Sequence, residues 1–304
     1  MVSVVEPQNK EMELPTFPRR DAAIHVAQVS VSYAAGKNAS KTILDEIELE
    51  IKAGEFVVIL GETGCGKSTL LRMILGQERP TTGSITVAGR EVERVSSSCG
   101  YVPQKYSLFP NRTVLGNLTM GPETTRYHIL GRLKPSFRAF RRQVREQAMQ
   151  QLMHMGLHAA DADKYPHQLS GGMQQRVAIA QALMMKPEIL LMDEAFSALD
   201  PGTRSSLQGM LLQIWRETKP TILFVTHNTA EALFLATRIV VLAKQTANSR
   251  CGAKVALDMQ LPGTGMSLKK NGQEFLDLVD HIERCSQGFE IAAGLTANLE
   301  GNVR

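Results

Sequence analysis

The residues Gly61, Glu62, Thr63, Gly64, Cys65, Gly66, Lys67 and Ser68 fit the spacing GxxxxGKS, after the apolar run Glu55 to Leu60 and before an apolar helical pattern from Ser68 to Leu75. That context constrains the chain more than any other feature, because the pattern carries meaning only between a buried strand and a helix. Glycines let successive backbone N–H groups turn inward on phosphate oxygens, and the helix N-terminus favours negative charge. Lys67 supplies a cation for the outer phosphates and Ser68 a hydroxyl for a divalent ion, with Thr69 following in the first turn. Cys65 is expected to lend only its backbone to the loop, its thiol being the one most open to reagents.

The chain has 304 residues, room for about two folding units. With 43% hydrophobic and 21% charged residues and a mean hydropathy of -0.12, it has the balance of an ordinary globular protein. The longest apolar runs, such as Phe56 to Leu60 and Ile189 to Met192, fall far short of the roughly 20 residues that cross a bilayer as a helix. Any membrane role therefore needs a partner. Met1 to Asp21 mixes acids with prolines and lacks the basic, then apolar, layout of a secretory signal, so the chain is expected to stay in the cytoplasm. Cys65, Cys99, Cys251 and Cys285 lie far apart, which argues against a zinc site or a disulfide framework. A net charge of +4 does not by itself predict nucleic-acid binding.

Alternation predicts strands at Ile24 to Tyr33 and Ile43 to Ile51, an antiparallel β layer. Further strands are expected at Gly83 to Val87, Gly100 to Gln104, Glu188 to Met192 and Thr221 to Thr226, with helices at Gly171 to Met185 and around Ser205 to Glu217. Strands that alternate with helices give an α/β class with a parallel sheet. Arg126 to Arg145 holds seven basic residues and no acid, with Phe137, Phe140, Val144 and Ala148 at helical spacing, and reads as one basic amphipathic helix. After Ala243 the texture becomes polar; Lys254 to Leu261 is expected as a strand and Gly272 to Cys285 as a helix.

Ile189 to Met192 delivers two adjacent carboxylates, Asp193 and Glu194, at a strand's C-terminal end, where open α/β sheets bind ligands. Asp193 suits a Mg²⁺ contact, and Glu194, pointing elsewhere, suits polarising an attacking water. A phosphate loop with one carboxylate strand still leaves small kinases and helicase-like motors open. The octet LSGGMQQR, from Leu169 through Ser170, Gly171, Gly172, Met173, Gln174 and Gln175 to Arg176, narrows the field. Ser170 is placed as an N-cap and the glycines bare backbone N–H groups at a helix start, a second anion-binding arrangement.

With these motifs in order, the chain resembles the nucleotide-binding subunit of ATP-binding cassette (ABC) transporters over roughly Ala22 to Ala243. The resemblance implies a P-loop cassette with a RecA-like α/β core, an antiparallel β subdomain and a helical signature subdomain over about residues 105–185. It also implies a flexible segment at residues 1–21 and an extension of unknown role at residues 244–304. Tyr33 looks like the aromatic that stacks on adenine, and Gln104 in YVPQ like the glutamine that senses Mg²⁺ and the membrane partner. Asp200, after Ser197, Ala198 and Leu199, resembles the loop that crosses between subunits, and His227 in VTHN the switch histidine at the γ phosphate. In such a family two cassettes close so that Ser170, Gly171, Gly172 and Gln174 of one face the ATP held by Gly61 to Thr69 of the other.

The segments around KYSLFPNRTVLGNLTMGP and DEAFSALDPGTR are similar to the nitrate, sulfonate and taurine importer group, although Ala195 stands where that group usually carries Pro. The resemblance then implies import of a small anion, with ATP and Mg²⁺, a second ATP-binding subunit, transmembrane permease subunits and a solute-binding protein as partners, no nucleic acid, and a place at the cytoplasmic face of the membrane. The alternatives are an ATPase of a lipid, export or cell-envelope system, which would use the same catalytic residues, and a soluble non-transport ABC protein.

Overall fold

The structure is a computed structural model that describes residues 22–34, 40–105, 107–126, 135–244 and 252–287. The strands are β1 (Ala22–Ala34), β2 (Ser40–Lys52), β3 (Phe56–Leu60), β4 (Thr82–Val87), β5 (Arg90–Glu91), β6 (Cys99–Val102), β7 (Ile189–Asp193), β8 (Thr221–Thr226), β9 (Arg238–Lys244) and β10 (Ala253–Gln260). The α-helices are α1 (Lys67–Leu75), α2 (Val114–Arg126), α3 (Pro135–His154), α4 (Gly171–Leu183), α5 (Pro201–Thr218), α6 (Thr229–Leu235) and α7 (Leu268–Ser286). Among the described residues the strands form a single sheet in the order β5-β4-β1-β2-β10-β9-β3-β8-β7-β6.

The run from β9 through β3, β8 and β7 to β6 is parallel. Its strands are mostly apolar and buried, as a sheet covered on both faces requires. Phe56, Val58 and Leu60 point with Ile222 and Phe224 into a core closed by α2 to α7, while Val57 and Ile59 point with Leu223 and Val225 into a second core under α1 and the antiparallel strands. Period-two alternation thus divides one hydrophobic strand between two interiors. The antiparallel layer of β1, β2, β4 and β5 matches the expectation from its alternating sequence.

Between β6 and β7 lie α2, α3, two short 3₁₀ turns and α4. The first N–H groups of α2 find carbonyl partners outside the helix: Val114 N donates to Lys164 O and Leu115 N to Ala162 O, which ties α2 to the turns before α4. Of the stretch expected as one basic helix, Arg126 and Pro135 to Arg145 are described. Helix α2 ends at Arg126 and α3 starts at Pro135, where proline is pre-organised for a first helical position. Residues 127–134 lie outside the described residues. The apolar spacing holds where α3 packs, since Val144 and Ala148 are buried.

The segment after Ala243 is built into the cassette. Strand β10 pairs antiparallel with β9 and, through Ala253 opposite Leu44, touches β2, so it joins the parallel core to the antiparallel layer. Helix α7 sets Phe275, Ile282 and Cys285 into the same core as β3. No helix among the described residues is long and apolar enough to cross a membrane. Replacing Ile282, fully buried, by Ala is expected to cost about 2–5 kcal/mol of stability. The same change at exposed Leu276 is expected to cost under about 0.5 kcal/mol, both read from urea unfolding midpoints.

Candidate functional site

The parallel register brings the site together. Leu60 lies opposite Thr226, Asp193 opposite Val225 and Val102 opposite Met192, so the chain leaves β3, β8, β7 and β6 at one edge of the sheet. Gly61, His227, Glu194 and Gln104 follow those strands directly or within two residues. The carboxyl edge of a doubly covered sheet is where ligands bind.

The loop after β3 needs glycine for two separate reasons. A Cβ on Gly61 would sit 2.2 Å from the Leu242 carbonyl oxygen of β9. Gly66, at φ 101°, caps α1 in the left-handed region that side chains disfavour. Lys67 is buried, and its ammonium donates to Gly61 O at 2.7 Å and Glu62 O at 2.8 Å. Cys65 faces the same ammonium, with Sγ 3.9 Å from Nζ. The expectation of an open thiol fails: Cys65 packs into the core beneath the loop, and burial pushes its thiol up while the Lys67 charge pulls it down. Glu62 and Thr63 form the exposed rim, and Thr69 is buried one turn into α1.

Ser68 Oγ donates to Asp193 Oδ1 at 2.9 Å, joining α1 to the end of β7. Burial pushes the Asp193 carboxyl up, and the Ser68 hydrogen bond opposes that. The next residue turns away. Glu194 has φ 44°, a left-handed conformation that costs roughly 1–3 kcal/mol outside glycine, held by its N–H bond to Val225 O at 2.9 Å. Its carboxylate accepts from Gln104 Nε2 at 2.9 Å and lies 3.3 Å from Nδ1 of His227. The strained turn sends two adjacent acids to different neighbours, one to Ser68 and the other among Gln104 and His227. The loop beyond Gln104 is fastened by Asn117, whose fully buried amide accepts from Phe109 N and donates to carbonyls of Phe109, Arg112 and Thr113.

Tyr33 presents a ring that is 43% exposed, and its hydroxyl donates to Glu78 Oε2 at 2.7 Å. Glu78 also accepts from Arg72 Nε at 2.7 Å, so the ring is anchored to α1 through its hydroxyl. The signature residues stand apart from the phosphate loop. Ser170 caps α4, its hydroxyl accepting from Met173 N. Ser170 and Gly172 line a groove of about 280 Å³ with Gly156, His158, Arg176 and Thr203, and no residue from Gly61 to Thr69 lines it. Gln174 spends its amide inside the chain, donating to the Pro166 and Leu169 carbonyls. Asp200 caps α5 by accepting from Thr203 N, a bond that holds its carboxyl below the usual range.

Three polar residues that the sequence reading passed over adjoin His227. Thr226, Gln208 and Glu231 are buried together and hydrogen-bonded. The available signal was Asn228 followed three residues later by Glu231, which reads as an ordinary capping box.

The profile of the ABC transporter family matches residues 44–197, half of the chain. An uncharacterized ABC transporter ATP-binding protein of Methanocaldococcus jannaschii is 38% identical over 89% of this chain and 96% of its own length. The chain belongs to the ABC transporter family. The bicarbonate transport ATP-binding protein CmpD of Synechococcus elongatus is 39% identical, over 75% of this chain and 78% of its own. Other ABC relatives are named for import of nitrate, aliphatic sulfonates and taurine, the group that the sequence resembles. A dimeric ATP-binding cassette in a post-hydrolysis state, bound to ADP and Pi, superposes with a TM-score of 0.65 at 30% identity, covering 79% of this chain and 99% of that one.

The protein is thus an ATP-binding ABC subunit with the expected cassette fold, and an ATPase. Because the Lys67 ammonium sits in the phosphate loop, Lys67→Ala is expected to weaken ATP binding about 10- to 100-fold, the worth of a charged hydrogen bond. A fluorescent ATP analogue titrated into the purified chain measures it.

Proposed function

We propose that two such cassettes, two copies of this chain or one with a paralogue, close around two ATP and drive import of a small anion through separate transmembrane permease subunits. The observation that carries the paired arrangement is the separation of two anion-binding faces within one chain. Gly61 to Thr69 and the carboxylates form one; Ser170, Gly171 and Gly172 form the other, with Ser170 and Gly171 exposed and with Ser170 and Gly172 lining a groove of their own. A partner that supplies the second face completes each site. The names of relatives that serve nitrate, bicarbonate, sulfonate and taurine support a small anion as cargo. A peripheral position at the cytoplasmic face follows from this role, as does delivery by a solute-binding protein.

Tyr33 stacks on the adenine, and the loop N–H groups with Lys67 hold the phosphates. Ser68 and Asp193 suit Mg²⁺: both offer hard oxygens, already 2.9 Å apart, and such sites draw their remaining ligands from phosphates and water. Gln104, bonded to the neighbouring Glu194, is the third candidate ligand, through its amide oxygen. The ion, when bound, offsets charge on the phosphate oxygens. Glu194 accepts the proton of the attacking water, and its bond from Gln104 makes its readiness depend on the loop that meets the permease. His227, beside the same carboxylate, contacts the γ phosphate, and Asp200 lies on the crossing between subunits.

Glu194→Gln is expected to keep ATP binding, to lower turnover by about 10²- to 10⁴-fold, and to accumulate an ATP-bound dimer visible by light scattering. Replacement of Ser170 by Ala is expected to leave ATP affinity of the single subunit intact and to slow hydrolysis in the assembly. Purification of tagged Glu194→Gln protein with ATP from native membranes tests the import reading by mass spectrometry. Recovery of a permease with a solute-binding protein supports it; a permease alone favours export, lipid traffic or an envelope machine, and no membrane protein favours a role away from transport.

A further inference from the structure

His227 is an exposed side chain on a loop between β8 and α6, a place where a histidine would be expected to wander. The backbone on both sides of it is nevertheless held from beneath. Thr226 Oγ1 donates to Glu231 Oε2 at 2.6 Å. Asn228 N donates to Thr226 Oγ1 at 3.1 Å, and Glu231 N donates to Asn228 Oδ1 at 2.9 Å. The other carboxylate oxygen, Oε1, accepts from Gln208 Nε2 of α5 at 2.9 Å. Thr226, Gln208 and Glu231 are 3%, 8% and 8% exposed, so water does not compete for these bonds.

Each donor in this set has a fixed direction. The Asn228 amide can only donate, so the Thr226 hydroxyl accepts from it and gives its own proton to Glu231. A carboxylate that takes two donors in a dry site, near the charge of Arg204, is the species these bonds select. Burial pushes the Glu231 carboxyl up, and the bonds from Thr226 and Gln208 oppose that. Helix α6 needs only the Asn228 side chain for its cap, and the Glu231 carboxylate does not return to the Asn228 N–H as a capping box would have it. The buried acid is therefore surplus to the helix start, and a lone desolvated carboxylate is costly to keep.

We propose that Glu231 is a positioning residue for His227. Acting through Thr226 and Asn228, it fixes the loop on either side of the histidine and ties that loop to α5 through Gln208. The inference rests on the reading that His227 serves hydrolysis. It assigns to a buried acid, not touching ATP, control over where the imidazole stands relative to Glu194 and the γ phosphate.

A double-mutant cycle separates positioning from general support. In the full chain, with single-turnover ATP hydrolysis and ATP affinity both measured, Glu231→Ala and Thr226→Val are each expected to lower the hydrolysis rate about tenfold or more, with ATP affinity unchanged. Glu231→Gln is expected to recover most of that loss, since the Gln208 amide can turn to accept while Thr226 still donates. In a His227→Ala background, Glu231→Ala is expected to add no further loss, because the group it positions is gone. An equal loss in both backgrounds, or a fall in ATP affinity, would mark a merely structural acid and overturn the proposal. Wild-type hydrolysis in Glu231→Ala would overturn it as well. Wild-type hydrolysis in His227→Ala would instead remove the reading of His227 on which the inference stands.

Discussion

The parallel pairing of β3 with β8, and of β8 with β7, is the constraint on which everything else depends. Backbone groups in a sheet dry on both faces have no partner but the neighbouring strand, so the register is fixed once the strands align. That register decides which residues leave the sheet together. A slip of one residue would turn Asp193 from the phosphate loop and exchange the strand's two apolar faces. Strand β3 is fastened on its other side by β9, close enough that only a glycine clears the Leu242 carbonyl at position 61.

The same economy governs the charges at that edge. A buried ammonium needs hydrogen-bond partners whether or not a nucleotide is present, and Lys67 finds them in carbonyls of its own loop. Ser68 and Asp193 likewise satisfy each other. Phosphate binding therefore exchanges one set of bonds for another and does not fill a void, so net affinity reflects the difference between the sets. At Tyr33 the constraint is different: Glu78 ties down the hydroxyl of a ring that is 43% exposed, which orients it at low entropic cost.

Much of this was legible in the sequence where short-range chemistry decides. The strand, loop and helix around Gly61 to Ser68, the carboxylates after Ile189 to Met192, and the cap at Ser170 declare themselves by residue type and spacing. Features set by distant contacts did not. Helix α6 has only seven residues, too few for a period to emerge, and β9 passed unnoticed in a run that ends where the texture changes. β10 pairs locally with β9, but its place beside β2 depends on Ala253 meeting Leu44 about 200 residues away, which no local pattern encodes. Cys65 misled for a related reason: its neighbours in sequence are polar, its neighbours in space are not.

Helix α5 shows how sites that look separate in sequence share one mechanical element. Asp200 caps it, and Thr203 one turn on lies against α4 so closely that a Cβ on Gly172 would approach Thr203 Cγ2 to 2.6 Å. Arg176, in the signature octet, reaches Ser206 Oγ at 3.2 Å. Gln208 then meets Glu231 under the His227 loop. From Asp200 to Gln208 a helix rises about 12 Å at 1.5 Å per residue, a span over which hydrogen-bonded turns move as a body. Asp200, helix α4 and the His227 loop are consequently all fastened to one helix. Glycine at 172 is what lets α4 and α5 approach so closely.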